Sequence, residues 1–400
     1  MVLFDLLNVF RKYSVMSKTR DDLLRRWSQI QQTVFPWLRE DVGDLTAKHE
    51  RIVLVLDLLG LETHVPPPPG GPGCPPKDRR AIACAFVAKA VLNLPTTTAL
   101  LDRLQVDARL RRICGWERRA QVPSEATFSR AFAEFAACGL PDTVHAALIE
   151  TGYGDGLVGH IARDSTEIEG REKPPPPPKK PPKRAKRGRP KKGEEVGQRR
   201  SDRLKRQPAL DLRAMLADLP TRCDVGSKRN SKGFRHSWIG YKLHLDVADG
   251  DIPVSALLTS ASLHDSQVAI PLINMSSQRV DYLYDVMDSA YAATAIETYS
   301  RGLGYLPLIA LSDRHAPGRN AERCSERKRL ARLGLETPEN RHFRHRSAAE
   351  RVAGRLKDDF GAAMIRVRGH AKVLCHLGFA ILALTAENLR RRAQPTPQSG

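Results

Sequence analysis

The stretch GLVGHIARD, residues 156–164, holds the pattern from which the fold can be worked out. Its apolar residues predict a short buried strand that ends in the carboxylate of Asp164. Residues 280–288 predict another strand, which ends in Asp288. Because small or polar residues follow both aspartates, we expect them at an edge where a sheet presents polar groups. Each aspartate taken alone also fits a simple turn or cap residue.

The residues around these aspartates predict an α/β fold, a mixed sheet covered by helices. Residues 238–247 alternate apolar and polar side chains, and residues 252–259 return after a turn, which predicts a hairpin. Residues 305–311 predict a further strand. Helices are predicted over residues 264–273, 292–301, 346–360 and 371–391.

The chain is strongly basic. It has 400 residues, a formal net charge of +20 and a pI of about 9.9. This balance indicates a polyanionic partner, either nucleic acid or an anionic membrane surface. The apolar run 377–386 is too short to cross a bilayer, and the most basic tract, 171–206, has no apolar face. We therefore expect DNA as the partner and no membrane.

The basic tract belongs to a low-complexity segment rich in proline, lysine and arginine. Such a composition cannot pack a core, so residues 172–213 are predicted to form a disordered insertion. Seven of its residues resemble an AT-hook core, a short element that enters narrow A·T-rich minor grooves. Non-specific contact with phosphates is the alternative. The seven residues are Lys186, Arg187, Gly188, Arg189, Pro190, Lys191 and Lys192.

An all-α region is predicted before the sheet, where apolar residues recur at helical spacing on both sides of a Pro- and Gly-rich stretch. We expect an N-terminal helical segment, 1–64, a linker, 65–78, and a helical DNA-binding domain, 79–150. A packing or dimerisation module is the alternative for 79–150. Residues 151–395 are predicted to form the domain that contains the sheet and the insertion.

The seven cysteines are scattered, and none forms a C-x-x-C pair. This pattern argues against a disulfide framework and against a structural zinc site. We expect reduced thiols in a cytoplasmic protein.

A predicted helix near the end of the chain places a carboxylate between two cations. At about 100° per residue, Phe343, Arg346, Gly354 and Lys357 lie on the same face as Glu350. A carboxylate for a metal ion beside cations for phosphate suits a site that cuts DNA. A solvated face with ordinary charge pairing is the alternative. The apolar face of the same helix holds Ala349, Val352, Leu356 and Phe360.

Cleavage of a phosphodiester needs an activated water and a stabilised leaving oxygen, which two cations about 3.5–4 Å apart can provide. Mg²⁺ prefers carboxylate oxygens and keeps some waters, so two or three Asp or Glu side chains suffice. Asp164, Asp288 and Glu350 come from separate elements, as a site of this kind requires.

The spacing Phe343-x2-Arg346-x3-Glu350-x6-Lys357 resembles the Y-x2-R-x3-E-x6-K signature of bacterial insertion-sequence transposases, with phenylalanine in place of the tyrosine. Those enzymes carry a DDE triad on a ribonuclease H-like fold. The resemblance therefore implies a ribonuclease H-like mixed sheet and a transposase activity.

Other segments resemble the same family. Residues 163–166, RDST, are similar to its first-aspartate strand, and residues 288–291, DSAY, to its second-aspartate segment. Residues 123–130 resemble part of its N-terminal helical domain. The resemblance covers residues 80–390.

By this resemblance, Asp164, Asp288 and Glu350 bind two Mg²⁺ ions, for which Mn²⁺ can substitute. Arg346 and Lys357 hold phosphates near the cut. The implied reaction nicks the element ends and transfers the freed 3′ hydroxyl to target DNA. The implied partners are double-stranded DNA, with terminal inverted repeats, and a second copy of the chain, because two ends must be joined. The implied location is the bacterial cytoplasm, in association with the nucleoid.

Two other functions stay open: a catalytically inactive or domesticated DNA-binding protein derived from a transposase, and another nuclease of the same fold. The presence of all three carboxylates and both cations disfavours the first. The long helical region favours a transposase over the second. Asp288 is preferred to Asp285 as a ligand because Tyr291 follows it. Residues 263–266, LHDS, also resemble the family, and two interpretations of His264 and Asp265 stay open: a position near the active site, and a helix start with a surface histidine. Neither residue is included in the triad.

Overall fold

The computed structural model describes residues 24–25, 27–65, 77–154, 156–174, 176, 200–229, 233–310 and 317–393. In this part of the chain, a mixed sheet is covered by helices and preceded by a helical region. The predicted fold class is confirmed.

The helices before the sheet begin where the sequence offers capping residues. Thr46, Thr96 and Asp107 each accept a hydrogen bond from a backbone N–H in the first turn of the following helix. A π-helical turn, Ile30–Val34, comes directly before the helix Phe35–Val42. The helices are α1 (Phe35–Val42), α2 (Ala47–Leu59), α3 (Leu61–His64), α4 (Arg79–Val91), α5 (Thr97–Val106), α6 (Ala108–Ile113), α7 (Glu125–Cys138) and α8 (Leu140–Tyr153).

The described strands form one sheet. They are β1 (Leu157–Glu169), β2 (Asp224–Arg229), β3 (Arg235–Ala248), β4 (Ile252–Ser260), β5 (Asp281–Met287) and β6 (Leu306–Ile309). The order is β2-β3-β1-β5-β6, and β4 also pairs with β3. β1, β5 and β6 are parallel, whereas β3 is antiparallel to each of its neighbours. The predicted hairpin, β3 and β4, is confirmed.

β1 is longer than the sequence predicts. The prediction that it ends at Asp164 is wrong, because antiparallel pairing with β3 continues from Asp164 opposite Leu245 to Glu169 opposite Gly240. Asp164 therefore lies inside a paired strand, whereas Asp288 directly follows β5 as predicted.

The described helices after β1 cover both faces of the sheet. They are α9 (Arg200–Arg206), α10 (Leu212–Ala217), α11 (Ser266–Ser277), α12 (Thr294–Gly302), α13 (Pro317–Arg332), α14 (Pro338–Phe343), α15 (Ser347–Asp359) and α16 (His370–Ala393). The prediction that all of 172–213 is disordered is wrong for residues 200–213, which contain α9 and the start of α10. Leu204 and Leu210, within this end of the segment, pack against an apolar cluster that Met215 on α10 forms with residues of α11.

One apolar core joins the helices before the sheet to the sheet itself. α16 packs against α4, α7, α8 and β4, and its Phe379 ring stacks on Phe86 with centroids 5.6 Å apart. α16 is long and apolar enough to cross a membrane by length and composition, but 78% of its most apolar window is buried inside the protein. We conclude that it is a core helix, as its apolar run predicts.

Candidate active site

A buried ion-pair network fixes the strands next to Asp164. The guanidinium of Arg163 is fully buried and donates two hydrogen bonds of 2.7 Å to Asp246 on β3. It also lies 3.2 Å from the carboxylate of Asp285 on β5. Burial opposes the charge, but the two carboxylates hold the pKa of Arg163 above its ordinary value. These contacts join β1, β3 and β5. Asp285 is already paired with Arg163, which agrees with the choice of Asp288 as the metal ligand.

Asp164 lies on the other side of β1 from this network, because side chains alternate along a strand. Its carboxylate accepts a hydrogen bond of 2.8 Å from the backbone N–H of Ser165. Burial, together with the charge of Asp288, raises the pKa of Asp164 to about 6. Ser165, Lys228 and Arg346 act in the opposite direction.

Asp288 begins the 3-10 turn Ser289–Tyr291, and its carboxylate accepts a hydrogen bond of 2.9 Å from the N–H of Ala290. Burial raises the pKa of Asp288, and the charge of Asp265 adds to this effect. The pKa values of Asp164 and Asp288 are thus both raised by burial and by a nearby carboxylate. A bound proton or a bound cation would relieve this repulsion.

Glu350 lies in the first turn of α15, which packs on β1 and β3. Its carboxylate forms an ion pair of 2.7 Å with Arg346, at the end of the 3-10 turn Arg344–Arg346. The charge of Arg346 also opposes the rise in the pKa of Asp164 and of Asp288. Arg346 therefore connects Glu350 to the aspartate pair.

The rest of α15 agrees in part with the predicted helical faces. The predicted apolar face is buried, and Lys357 is partly buried. Phe343 and Arg346 do not belong to α15, so the prediction that one helix carries them with Glu350 is wrong. α14 ends at Phe343, and the 3-10 turn interrupts the helical path before α15 begins.

The three predicted ligands are not gathered into one compact metal site. Among the described residues, the set whose ligand atoms all lie within 4.8 Å of one another is His160, Asp249 and His345. Asp164 and Asp288 interact electrostatically, whereas Glu350 is held by its ion pair with Arg346.

Comparison with protein families matches two parts of the sequence. Residues 159–386 match the family model described as Transposase DDE domain, and residues 38–134 match the one described as Transposase domain (DUF772). The first match covers more than half of the 400 residues. The chain belongs to the insertion-sequence DDE transposase family. Comparison with curated proteins gave no match, and comparison with solved structures gave none.

A further carboxylate of the transposase, which the predicted triad does not include, lies beside the aspartate pair. Asp265 accepts a hydrogen bond of 2.9 Å from Lys242 Nζ, and it makes no capping hydrogen bond to α11. Asp265 lies at the start of α11, as predicted, but its side chain contacts Lys242 and does not cap the helix. Burial opposes its ionisation, but His244 and Lys242 hold the pKa of Asp265 below its ordinary value. The segment 263–266, LHDS, was the available signal in the sequence.

A cation was also missed. Lys228 lies on β2, and its charge opposes the rise in the pKa of both Asp164 and Asp288. β2 was not predicted, because its six residues are mostly polar and include a glycine. The AT-hook-like residues of the transposase, 186–192, lie outside the described residues, so their contact with a minor groove stays a prediction.

Proposed function

We propose that the transposase cuts and joins DNA with two Mg²⁺ ions held by Asp164, Asp288 and Glu350. The observation that carries this proposal is the pair of aspartates whose pKa values are raised by burial and by neighbouring carboxylates. Carboxylate oxygens are the ligands that Mg²⁺ and Mn²⁺ prefer, and a divalent cation would offset both effects. The bound ions would activate the attacking water or 3′ hydroxyl and stabilise the leaving oxygen.

To act as a metal ligand, Glu350 must break its ion pair with Arg346 or bind the metal with its other carboxylate oxygen. The side chain of Glu350 in this pair is 52% exposed, and an exposed ion pair contributes only about 0–1 kcal/mol. A cation between the carboxylates can therefore compete with Arg346 for Glu350. Arg346 would then be available to hold a DNA phosphate, because its planar guanidinium can donate two parallel hydrogen bonds. We assign Lys357, further along α15, a contact with a phosphate through the charge of its ammonium group.

A basic cleft supports the proposal that the helical domain, 79–150, binds DNA together with the catalytic domain, 151–395. Its walls come from α4, α7 and the segment between α15 and α16. Burial lowers the pKa of Lys89 to about 8, and a nearby phosphate would favour its charged form. Two copies of the chain would bring two element ends together. The cations that line the cleft are Lys89, Arg171, Arg366, Arg368 and Lys372.

The test is strand transfer on DNA that carries the element ends, in Mg²⁺ and in Mn²⁺. We expect Glu350→Gln to bind this DNA as the native chain does but to transfer strands on the order of 100-fold more slowly, or worse, because a metal ligand is lost. Glu297→Gln is the control, because Glu297 is exposed on α12. If the native chain binds DNA but does not cut it with either metal, the protein is a DNA-binding relic.

A further inference from the structure

A polar cluster lies behind Asp164, on the face of the sheet that α11 covers. Side chains alternate along a strand, so Ser165 faces away from Asp164 and towards this cluster. Ser165 is paired with His244 on β3, and Lys242 lies on the same face of that strand, two residues before His244. Asp265, which directly precedes α11, contacts these side chains from the helix layer.

Asp265 is held in place as a charged group. Its carboxylate accepts a hydrogen bond of 2.9 Å from Lys242 Nζ, and the same ammonium donates to the carbonyl of Leu263 at 2.8 Å. The side chains of Asp265 and Lys242 are only 23% and 14% exposed in this pair. Lys242 therefore fixes both the carboxylate and the backbone that leads into α11.

His244 does not neutralise Asp265. His244 Nδ1 lies 4.0 Å from Asp265 Oδ1, is buried and has no hydrogen-bond partner among the described residues. Its Nε2 lies 2.9 Å from the hydroxyl of Thr259, which itself donates to the carbonyl of Ser260. Nε2 therefore carries the proton, and Nδ1 presents a lone pair to Asp265. Burial lowers the pKa of His244 to about 4, so the imidazole is neutral at pH 7.

Asp265 acts on both aspartates of the proposed metal site. The hydroxyl of Ser165 donates a hydrogen bond to Asp265, and the backbone N–H of the same serine donates to Asp164 at 2.8 Å. One serine thus connects the two carboxylates. The charge of Asp265 also raises the pKa of Asp288, although Lys242 is paired with Asp265.

The hydroxyl of Tyr291 lies among these carboxylates. It is fully buried and has no hydrogen-bond partner in the described part of the chain. Burial, together with the charges of Asp265, Asp164 and Asp288, raises the pKa of Tyr291, so the hydroxyl lies near all three. Charges in such a buried space act on one another with little screening by solvent.

We propose that Asp265 is a positioning residue of the metal site. Its negative charge strengthens the binding of divalent cations by Asp164 and Asp288, and its hydrogen bond with Ser165 orients Asp164. The proposal rests on the proposed function, in which those two aspartates are metal ligands.

Asp265 acts without binding the metal itself. Its carboxylate is already paired with the ammonium of Lys242. Among the described residues, it also does not join Asp164 and Asp288 in a set of three ligand atoms within 4.8 Å of one another. Its role is therefore distinct from that of the proposed ligands.

The test is Mn²⁺ binding to the full-length transposase, followed by the loss of the electron paramagnetic resonance signal of free Mn²⁺. We expect Asp265→Asn to weaken Mn²⁺ binding by about tenfold or more, because a negative charge near a divalent cation is lost. Asp218→Asn is the matched control and should bind as the native chain does. Asp218 follows α10, is 29% exposed and forms an ion pair of 2.9 Å with Arg203. Equal binding by Asp265→Asn and the native chain overturns the proposal.

Lys242→Gln separates the charge of Asp265 from a purely structural role of the ion pair. Removing the positive charge should leave Mn²⁺ binding unchanged or make it tighter, because the negative charge of Asp265 remains. If the ion pair only supports the fold, Lys242→Gln should instead weaken Mn²⁺ binding as Asp265→Asn does, and that result would overturn the proposal.

The double variant Lys242→Gln/Asp265→Asn removes both charges and keeps side chains that can form hydrogen bonds. It should still bind Mn²⁺ more weakly than the native chain, because the charge of Asp265, and not that of Lys242, is among the main charges that act on Asp288. Native affinity in the double variant would show that the single variant fails only through an unpaired Lys242.

Asp164→Asn separates this proposal from the assignment of the metal ligands, because it removes a proposed ligand. If the native chain binds no Mn²⁺, or if Asp164→Asn binds it equally well, the ligand assignment is wrong and the role of Asp265 falls with it. If Asp164→Asn loses Mn²⁺ and Asp265→Asn keeps it, only the role of Asp265 is overturned.

Discussion

At the scale of single residues, Asp164 shows how burial controls the chemistry of the site. Its pKa is raised from an ordinary 3.8 to about 6. The folded chain therefore binds this proton more tightly than the unfolded chain does. The resulting stability is complete below the unfolded pKa and is lost as the pH rises through about 6. A divalent cation bound to the ionised carboxylate would offset that loss.

We expect Mg²⁺ to raise the melting temperature more at about pH 7.5 than at about pH 5, because below about pH 6 a proton competes with the metal for Asp164. The apparent Mg²⁺ affinity should fall about tenfold per pH unit there, for one displaced proton. Scanning calorimetry at several pH values measures this. Asp164→Asn should remove most of the pH dependence, and Asp102→Asn, at an exposed position on α5, should keep it. An equal Mg²⁺ effect at both pH values would contradict the assignment.

The residues of the site differ in how far local sequence could predict them. Asp164, Asp288 and Glu350 lie beside apolar strand residues or on an amphipathic helix, so neighbouring residues mark them. Asp265 and Lys228 reach the site because α11 packs on the sheet and β2 pairs with β3. Such contacts join residues that are distant in sequence, so no local pattern predicts Lys228, and for Asp265 the segment 263–266, LHDS, is the one local signal.

At the scale of secondary structure, the pairing of β1 with β3 decides where Asp164 lies. The polar residues after Asp164 also suit a turn, so the sequence alone does not show that the strand continues. Its partner does, because β3 supplies hydrogen bonds as far as Glu169. Gly240 on β3 permits this close approach: a Cβ there would lie 2.1 Å from the backbone oxygen of Ile168 and 2.4 Å from the nitrogen of Gly170.

We expect Gly240→Ala to lower the free energy of unfolding by about 1–3 kcal/mol or more, because the methyl group overlaps the backbone of β1. Urea denaturation measures the change. Gly302→Ala is the matched control, because it adds the same methyl group where it meets no atom within 4 Å. If the two variants have the same unfolding midpoint, the tight pairing of the second half of β1 is not required for stability.

At the scale of the whole molecule, the helical region before the sheet packs on the sheet through one shared apolar core. The predicted boundary between 79–150 and 151–395 divides the chain, but the apolar cluster continues across it. The walls of the basic cleft are therefore held in place by packing. Hydrophobic periodicity predicts which residues are buried within each element, but not that two predicted domains bury them together.

We expect Arg368→Ala to weaken DNA binding and to lower the slope of log affinity against log salt by about 1, because one phosphate contact is lost. Fluorescence anisotropy at several salt concentrations measures the slope. Arg301→Ala is the control, because Arg301 is exposed on α12 and does not line the cleft.

The same measurement separates the cleft from the basic tract as the DNA contact. If the slope stays unchanged in Arg368→Ala but falls when the cations of residues 186–192 are replaced, the tract holds DNA. The helical region would then serve packing or dimerisation, the alternative that its sequence leaves open. If both changes lower the slope, and together lower it by their sum, the cleft and the tract contact different phosphates of one DNA.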